Sequence, residues 1–311
     1  MLNGWIILDK PLGLGSTSAV SAVKRALREA GEPKTKVGHG GTLDPLATGV
    51  LPIALGEATK LAGRMLDATK AYDFTIAFGA QTDTLDLEGK IIATSEVRPT
   101  LAEVVAILPR FTGPIEQVPP AYSALKVDGE RAYDLARKGI EVELKTRSVT
   151  IFSLCVSASL REQKCLTQRR RDAEKIDEIT LAANVSKGTY IRSLARDIAL
   201  ALNTVGHVTM LRRTKAGPFT LDRAISLDNL TQAAKARALT RMVLPLRAGL
   251  DDIPALPVTP DQARLLRQGQ MLFGIPAPSG LHLAIQAETP VALVEITGDG
   301  CKVVRGFNLE T

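Results

Sequence analysis

Residues 71–79, Ala-Tyr-Asp-Phe-Thr-Ile-Ala-Phe-Gly, place Tyr72, Phe74, Ile76 and Phe78 at every second position. A period of two puts these side chains on one face of a strand. Residues 148–160 and 176–186 alternate in the same way, and Gly4-Trp-Ile-Ile-Leu-Asp9 reads as a short buried strand. Helical patterns fall among these runs in no regular order. Ala19, Val20, Val23, Ala26 and Leu27 share one helical face, behind Ser16, Thr17 or Ser18 as a cap and ahead of Gly31 as a stop. Thr100-Leu-Ala-Glu103 is a capping box for a helix through Val104, Val105 and Leu108, ending near Pro109. A Pro-rich loop, residues 118–125, leads to another short helix around Glu130 to Lys138, closed by Gly139. Ile191, Leu194, Ala195 and Ile198 form the inner face of a helix begun after Gly188. Without a regular strand–helix–strand alternation, the expected fold class is α+β: a mixed, largely antiparallel central sheet flanked by helices.

The chain's 311 residues suffice for one large domain and a small one. Residues 251–257 are Pro-rich and acidic and read as a linker. Beyond them, Thr259-Pro-Asp-Gln262 combines an N-cap, a proline at the first helical position and a capping box. Three strand-like runs follow at 281–287, 291–297 and 301–307. The expected division is therefore 1–250, with a polar, basic insertion at about 161–175, and a mostly β module over 251–311.

Several function classes are disfavoured. The longest apolar runs fall far short of the roughly 20 residues of a membrane helix, and Met1-Leu-Asn-Gly-Trp5 lacks the basic start of a signal peptide. A soluble, cytosolic protein is expected. Cys155, Cys165 and Cys301 form no close pair, and His39, His207 and His282 stand apart from any cysteine spacing, so neither a disulfide framework nor a metal-ligand cluster is expected. Gly13 and Gly15 open no phosphate loop, because no Gly-Lys-Ser/Thr follows and Ser18 stands where a dinucleotide fingerprint needs a glycine. No nucleotide cofactor is supported.

Net charge is +6, yet residues 1–89, 90–160, 161–250 and 251–311 sum to −1, +1, +9 and −3. One stretch holds more than the whole excess. That is equally the signature of a surface for a polyanion and of a solvated basic face.

The densest unusual segment is Gly38-His-Gly-Gly-Thr-Leu-Asp-Pro-Leu-Ala-Thr-Gly49. Four glycines and a single carboxylate, Asp44, describe a tight loop that lets a ligand approach the backbone. Taken alone, Asp44-Pro45 reads as a helix N-cap followed by its first residue, and His39 as an ordinary loop histidine. Continued by Val50-Leu-Pro-Ile-Ala-Leu-Gly-Glu-Ala-Thr-Lys60, however, the segment closely resembles the catalytic motif of the bacterial tRNA pseudouridine synthase B (TruB) family. Further matches are Asp9-Lys-Pro11 with Thr17-Ser18, Lys70-Ala-Tyr72, Pro119-Pro-Ala-Tyr-Ser-Ala-Leu-Lys-Val127, Ser186-Lys-Gly-Thr-Tyr-Ile-Arg192 and Leu211-Arg-Arg-Thr-Lys-Ala-Gly-Pro-Phe219. The resemblance covers about residues 4–230, and the C-terminal module is similar to a diverged PUA domain.

The resemblance implies the pseudouridine synthase fold and isomerisation of the T-loop uridine of tRNA, conventionally counted as position 55. The N1–C1′ bond breaks, the uracil turns and C5 is joined instead, so no cofactor is required. Asp44 matches the essential aspartate, a nucleophile or a base at the sugar. Arg192 matches the arginine expected to pair with it and keep it ionised. Tyr72 matches the tyrosine expected against the uracil and near the departing C5 proton. The resemblance places Tyr190 beneath the base, Leu211 at the pocket floor and His39 in the space left by a flipped nucleotide. Lys187, Arg196, Arg212, Arg213 and Lys215 join Arg192 in facing phosphates. A monomer acting on the tRNA T-arm is expected. The rival readings are a non-catalytic RNA-binding or tRNA-folding protein, and a subunit of a guide-RNA complex. The 161–175 insertion departs from the family pattern, and a charge of −3 makes the C-terminal module a poor phosphate binder.

Overall fold

The run from Gly4 becomes a strand, Gly4–Lys10, that is buried along nearly its whole length, as a continuous apolar run requires. It pairs antiparallel with the strand Ala47–Leu55, Gly4 opposite Leu55 and Lys10 opposite Gly49, while Leu244–Pro245 joins its other edge. The computed structural model describes residues 2–123, 125–127, 129–137, 144–157 and 174–309. The chain divides into two compact units: Met1–Pro45, Gly49–Leu66 and Ala216–Thr311 form the first, Leu46–Thr48 and Asp67–Lys215 the second.

In the first unit, Trp5 is fully buried and tilts against Phe219 with ring centroids 5.3 Å apart. Its indole N–H donates to the Leu246 carbonyl at 3.1 Å, so the large ring is buried without stranding its donor. The helix Ser16–Glu29 buries Ala19, Val20, Val23, Ala26 and Leu27, the face expected from spacing, and ends ahead of Gly31, whose φ of 79° is the left-handed stop. The C-terminal residues form a four-stranded sheet in the order Ala255–Pro257, Gly280–Gln286, Thr289–Thr297, Gly300–Gly306. The helix Pro260–Arg267 packs on it, opened by the expected Thr259–Gln262 capping box. Leu256, Ala263, Leu266, Val294 and Cys301 belong to the core of this module, while Leu283, Leu293 and Phe307 turn toward the cluster around Trp5.

In the second unit the strand order is Gly206–Ala216, Lys70–Phe78, Glu178–Val185, Arg147–Val156, Gly113–Gln117. The 70–78 and 178–185 strands are antiparallel, with Tyr72 opposite Ala183 and Phe74 opposite Leu181. Phe74, Ile76 and Phe78 lie in one core with Val104 of the helix Leu101–Ile107 and Ile191, Leu194, Ala195 and Ile198 of the helix Ile191–Ala201, and Tyr72 packs against its margin. The opposite face carries Thr75, whose hydroxyl meets that of Thr180 at 2.8 Å. The Thr100–Glu103 capping box is present. The fold is thus α+β, with a mixed sheet, flanking helices and a small C-terminal sheet. No helix among the described residues is long and apolar enough to cross a membrane.

Two local expectations need correction. The first helix has Gly15 as its N-cap and no side-chain cap; Ser16 turns instead to a partner 27 residues away. The 251–257 linker ends in a strand, since Ala255–Pro257 pairs in parallel with Leu283–Ile285. The helix expected to Lys138 is described as Ala132–Arg137, and Gly139, residues 158–160 and the 161–173 part of the insertion lie outside the described residues.

Candidate active site

Asp44 sits in an irregular loop between the strands Val37–His39 and Ala47–Leu55, so Asp44-Pro45 opens a turn into a strand and is not a helix cap. The residues beside Asp44 are held by their backbone. Ser16 Oγ accepts the Leu43 N–H at 2.9 Å and donates to the Leu43 carbonyl at 3.0 Å. The Pro45 carbonyl accepts from Gly13 N at 2.9 Å and from Lys10 Nζ at 3.1 Å. Lys10 is fully buried, and its ammonium also donates to the carbonyls of Leu14 at 2.6 Å and Pro11 at 3.1 Å. Three carbonyls from two loops thus accept from one buried cation, which ties those loops to each other.

Close packing sets the approach to this loop. Gly40 donates its N–H to the Pro52 carbonyl at 2.8 Å, and a Cβ at this position would come within 2.6 Å of Met65 Cβ. His39, at the end of its short strand, lies opposite Ile53 and is half-buried, as is Asp44. These two residues belong to the first unit; Tyr72, Lys187, Tyr190, Arg192, Leu211, Arg212 and Arg213 belong to the second.

Within the second unit, Arg192 is buried in the first turn of the 191–201 helix. One guanidinium nitrogen lies 3.3 Å from the Asp86 carboxylate and donates to the Thr84 carbonyl at 2.8 Å, while the other donates to the Tyr122 carbonyl at 3.0 Å. Asp86 is itself fixed, accepting from Thr84 Oγ1 at 2.5 Å and from Glu88 N at 3.0 Å. Tyr190 is the N-cap residue of the same helix, immediately ahead of Ile191 and Arg192. Tyr72 and Leu211 are both half-buried against the core beneath that helix.

Arg212 and Arg213 lie within the 206–216 strand, Lys70 begins the 70–78 strand, and Lys187 lies in the turn after the 178–185 strand. The Arg212 guanidinium approaches Thr48 Oγ1 at 3.4 Å, and it pulls down the Asp73 carboxyl, which burial nevertheless pushes above its ordinary value. Arg213 is almost fully buried. Burial lowers the Lys70 ammonium to about 8, Arg213 adds to that effect, Asp67 opposes it and Lys187 contributes a little more. Lys187 itself is exposed and pairs with Asp67 at 3.0 Å, a contact worth little in water.

Two parts of this arrangement leave no local signal in the sequence. Ser16 had the chemistry of a helix cap, and nothing nearby in the sequence revealed its bond to Leu43. Asp86 is one of three carboxylates between residues 83 and 88, and only the fold distinguishes it by bringing Arg192 to it.

Comparison with known proteins gives two family matches in succession: the TruB family pseudouridylate synthase N-terminal domain over residues 24–191, and the tRNA pseudouridylate synthase B C-terminal domain over 192–251. A tRNA pseudouridine synthase B from Novosphingobium aromaticivorans is 61% identical, covering 100% of this chain and 99% of its own length. The corresponding protein of Zymomonas mobilis is 59% identical, covering 99% and 96%. Among solved structures, a chain of an H/ACA ribonucleoprotein bound to a substrate RNA containing 2′-deoxyuridine shares the fold with a TM-score of 0.71, at 24% identity, covering 98% of this chain and 85% of that one. A chain of a Cbf5-Nop10-Gar1 complex does so at 0.68 and 25% identity, covering 94% and 78%.

Proposed function

The chain belongs to the TruB family of pseudouridylate synthases, and from that premise we propose that it isomerises the T-loop uridine of tRNA to pseudouridine with Asp44 as the catalytic carboxylate. Pseudouridine synthesis on tRNA is the activity of its full-length relatives. The observation that most supports Asp44 is the grip on both neighbours, Leu43 by Ser16 and Pro45 by Lys10 and Gly13. A nucleophile or base gains most when its position is fixed before substrate arrives. Arg192, steadied by Asp86, is suited to hold the Asp44 charge, and Tyr72 to stack on the uracil and receive or relay the C5 proton. His39 would fill the place of the extruded nucleotide, Tyr190 and Leu211 would line the base pocket, and Lys187, Arg212 and Arg213 would meet phosphates.

In this reading the enzyme works as a cytoplasmic monomer on free tRNA without a cofactor, and residues 251–311 form a PUA-like domain. Near-full-length identity to tRNA enzymes favours this over a guide-dependent subunit, since the resemblance to the ribonucleoprotein chains is one of fold.

The test is release of tritium from T-arm RNA labelled at uridine C5, with no guide RNA present. Wild type should release label, and Asp44→Asn should bind the RNA with unchanged affinity but release none. Loss of binding and turnover together would make the loop structural, and absence of release by wild type above a heat-killed control would sink the free-enzyme reading.

A further inference from the structure

We propose that Gln117 is a positioning residue for the reaction, its buried side-chain amide holding the backbone of Tyr190 and thereby the first turn of the helix that carries Arg192. Gln117 ends the 113–117 strand and is only 2% exposed. Its Oε1 accepts the Tyr190 N–H at 2.8 Å and its Nε2 donates to the Tyr190 carbonyl at 3.1 Å. The orientation of the amide follows from chemistry alone. A backbone N–H only donates and a backbone carbonyl only accepts, so one rotamer satisfies both groups and its flip satisfies neither.

A primary amide has the donor and acceptor of a peptide group, so Gln117 extends strand-like pairing one step beyond the end of its strand. The need for it is local. Tyr190 is the N-cap of the 191–201 helix, and its side chain makes no cap. The Tyr190 carbonyl also accepts from Leu194 N at 3.0 Å, opening the helical ladder, so a shift of this peptide moves the whole first turn. The next residue reinforces the same junction: the Val118 carbonyl accepts from Ser193 Oγ at 2.8 Å and from Arg196 at 3.1 Å. Farther along the segment, Tyr122 takes the Arg192 bond already described. The run from Gln117 to Tyr122 therefore sets where Tyr190 and Arg192 stand, with Gln117 as its side-chain anchor.

This inference rests on the proposed roles of Tyr190 and Arg192, and Gln117→Glu tests it without a change of shape. A neutral carboxyl can accept from Tyr190 N–H and donate to the Tyr190 carbonyl as the amide does. An ionised one repels that carbonyl. Burial raises this carboxyl above the ordinary glutamate value of about 4.3. The ratio of variant to wild-type kcat on tRNA should therefore be near one in mild acid. It should fall between about tenfold and 100-fold as pH rises through that titration, the loss expected of a slightly misplaced group. KM should be little changed, and Gln117→Met should be slow at every pH.

A ratio of one throughout the pH range, or a loss confined to KM, overturns the proposal. If Gln117→Glu gives no folded protein at neutral pH, Gln117→Met decides alone: a wild-type kcat per folded molecule refutes positioning, and a reduced kcat with unchanged KM supports it. Asp44→Asn and Arg192→Lys run in the same assay keep the two readings apart. If they retain turnover, the catalytic reading fails; if they lose it while Gln117→Glu keeps wild-type kcat at every pH, only the role of Gln117 fails.

Discussion

The Arg192 guanidinium lies 3.3 Å from the Asp86 carboxylate, and both side chains are about nine-tenths buried. Leaving one buried member unpaired is costly, because the remaining charge has lost both water and partner. Arg192 also donates to the backbone carbonyls of Thr84 and Tyr122, so at this junction Asp86 supplies charge and the two carbonyls supply direction. The pair thus fixes the arginine in the first turn of its helix, and its burial leaves it little screened by salt.

Asp86→Asn tests that division. The amide retains the size of the carboxylate and can still accept from Glu88 N, but it no longer balances the guanidinium. We expect kcat to fall by about tenfold to 100-fold, the range for misplacement of a reacting group, with tRNA affinity nearly unchanged. Single-turnover rates and filter binding on the same preparation measure both, and wild-type kcat in a folded Asp86→Asn enzyme would refute the role given to Asp86.

Lys10→Met removes the cation that joins the loop at Leu14 to the loop at Pro45. Methionine fills the space, but three carbonyls lose a charged donor, and each such bond is worth roughly 1.5–3 kcal/mol. Partial compensation by water makes a net loss of about 2–4 kcal/mol reasonable, readable as a lower urea midpoint with an unchanged m-value. Turnover per folded molecule should fall as well, because Asp44 lies next to the released Pro45 carbonyl. Stability and turnover both equal to wild type would show that the loop holds itself.

What the sequence disclosed follows from the range of the forces involved. Tyr72, Phe74, Ile76 and Phe78 were legible because side-chain alternation is a property of the strand itself, and the Thr100 and Thr259 boxes because cap and partner are three residues apart. Ser16 was misread because Leu43, not its own helix, claims its hydroxyl, and Ala255–Pro257 passed for a linker because its partner strand lies some thirty residues on. Around the candidate site, Asp44, Tyr72 and Arg192 were visible only through motif resemblance. Asp86 and Gln117 were not, since an aspartate in a turn and a glutamine at a strand end take their meaning from side chains that the fold alone brings near.

Gly40→Ala should disturb the loop through a single neighbour. The added methyl would meet Met65 Cβ at 2.6 Å, well inside contact distance, and Met65 Cγ less severely at 3.0 Å. Overpacking of this kind costs about 1–3 kcal/mol, and here the strain falls on the residue between His39 and Gly41. Met65→Ala should not restore full stability, because it removes the milder Cγ contact but keeps the Cβ that makes the severe one. Thermal unfolding of the single and double variants decides it; full recovery of stability in the double variant would place the clash farther out along the methionine side chain.

The Lys70 ammonium, lowered by burial to about 8, sets a direction for stability against pH. Above its ordinary value of 10.5 neither state holds the proton, and below about 8 both do. Between these limits the unfolded chain binds a proton that the folded chain does not, so the Lys70 contribution to stability rises with pH across that window and is a penalty at neutral pH. At 1.36 kcal/mol per unit of pKa the change is at most about 3 kcal/mol. Lys70→Met abolishes this titration while keeping an unbranched side chain. The stability of Lys70→Met relative to wild type should therefore be most favourable near pH 7 and should decline by about 2–3 kcal/mol on going to pH 10. Urea unfolding of both proteins at the two pH values measures it, the difference cancelling the other lysines that titrate in the same range. A difference independent of pH would mean that Lys70 holds its proton as firmly in the folded protein as in the unfolded chain, and that the nearby Arg213 leaves its charge undisturbed.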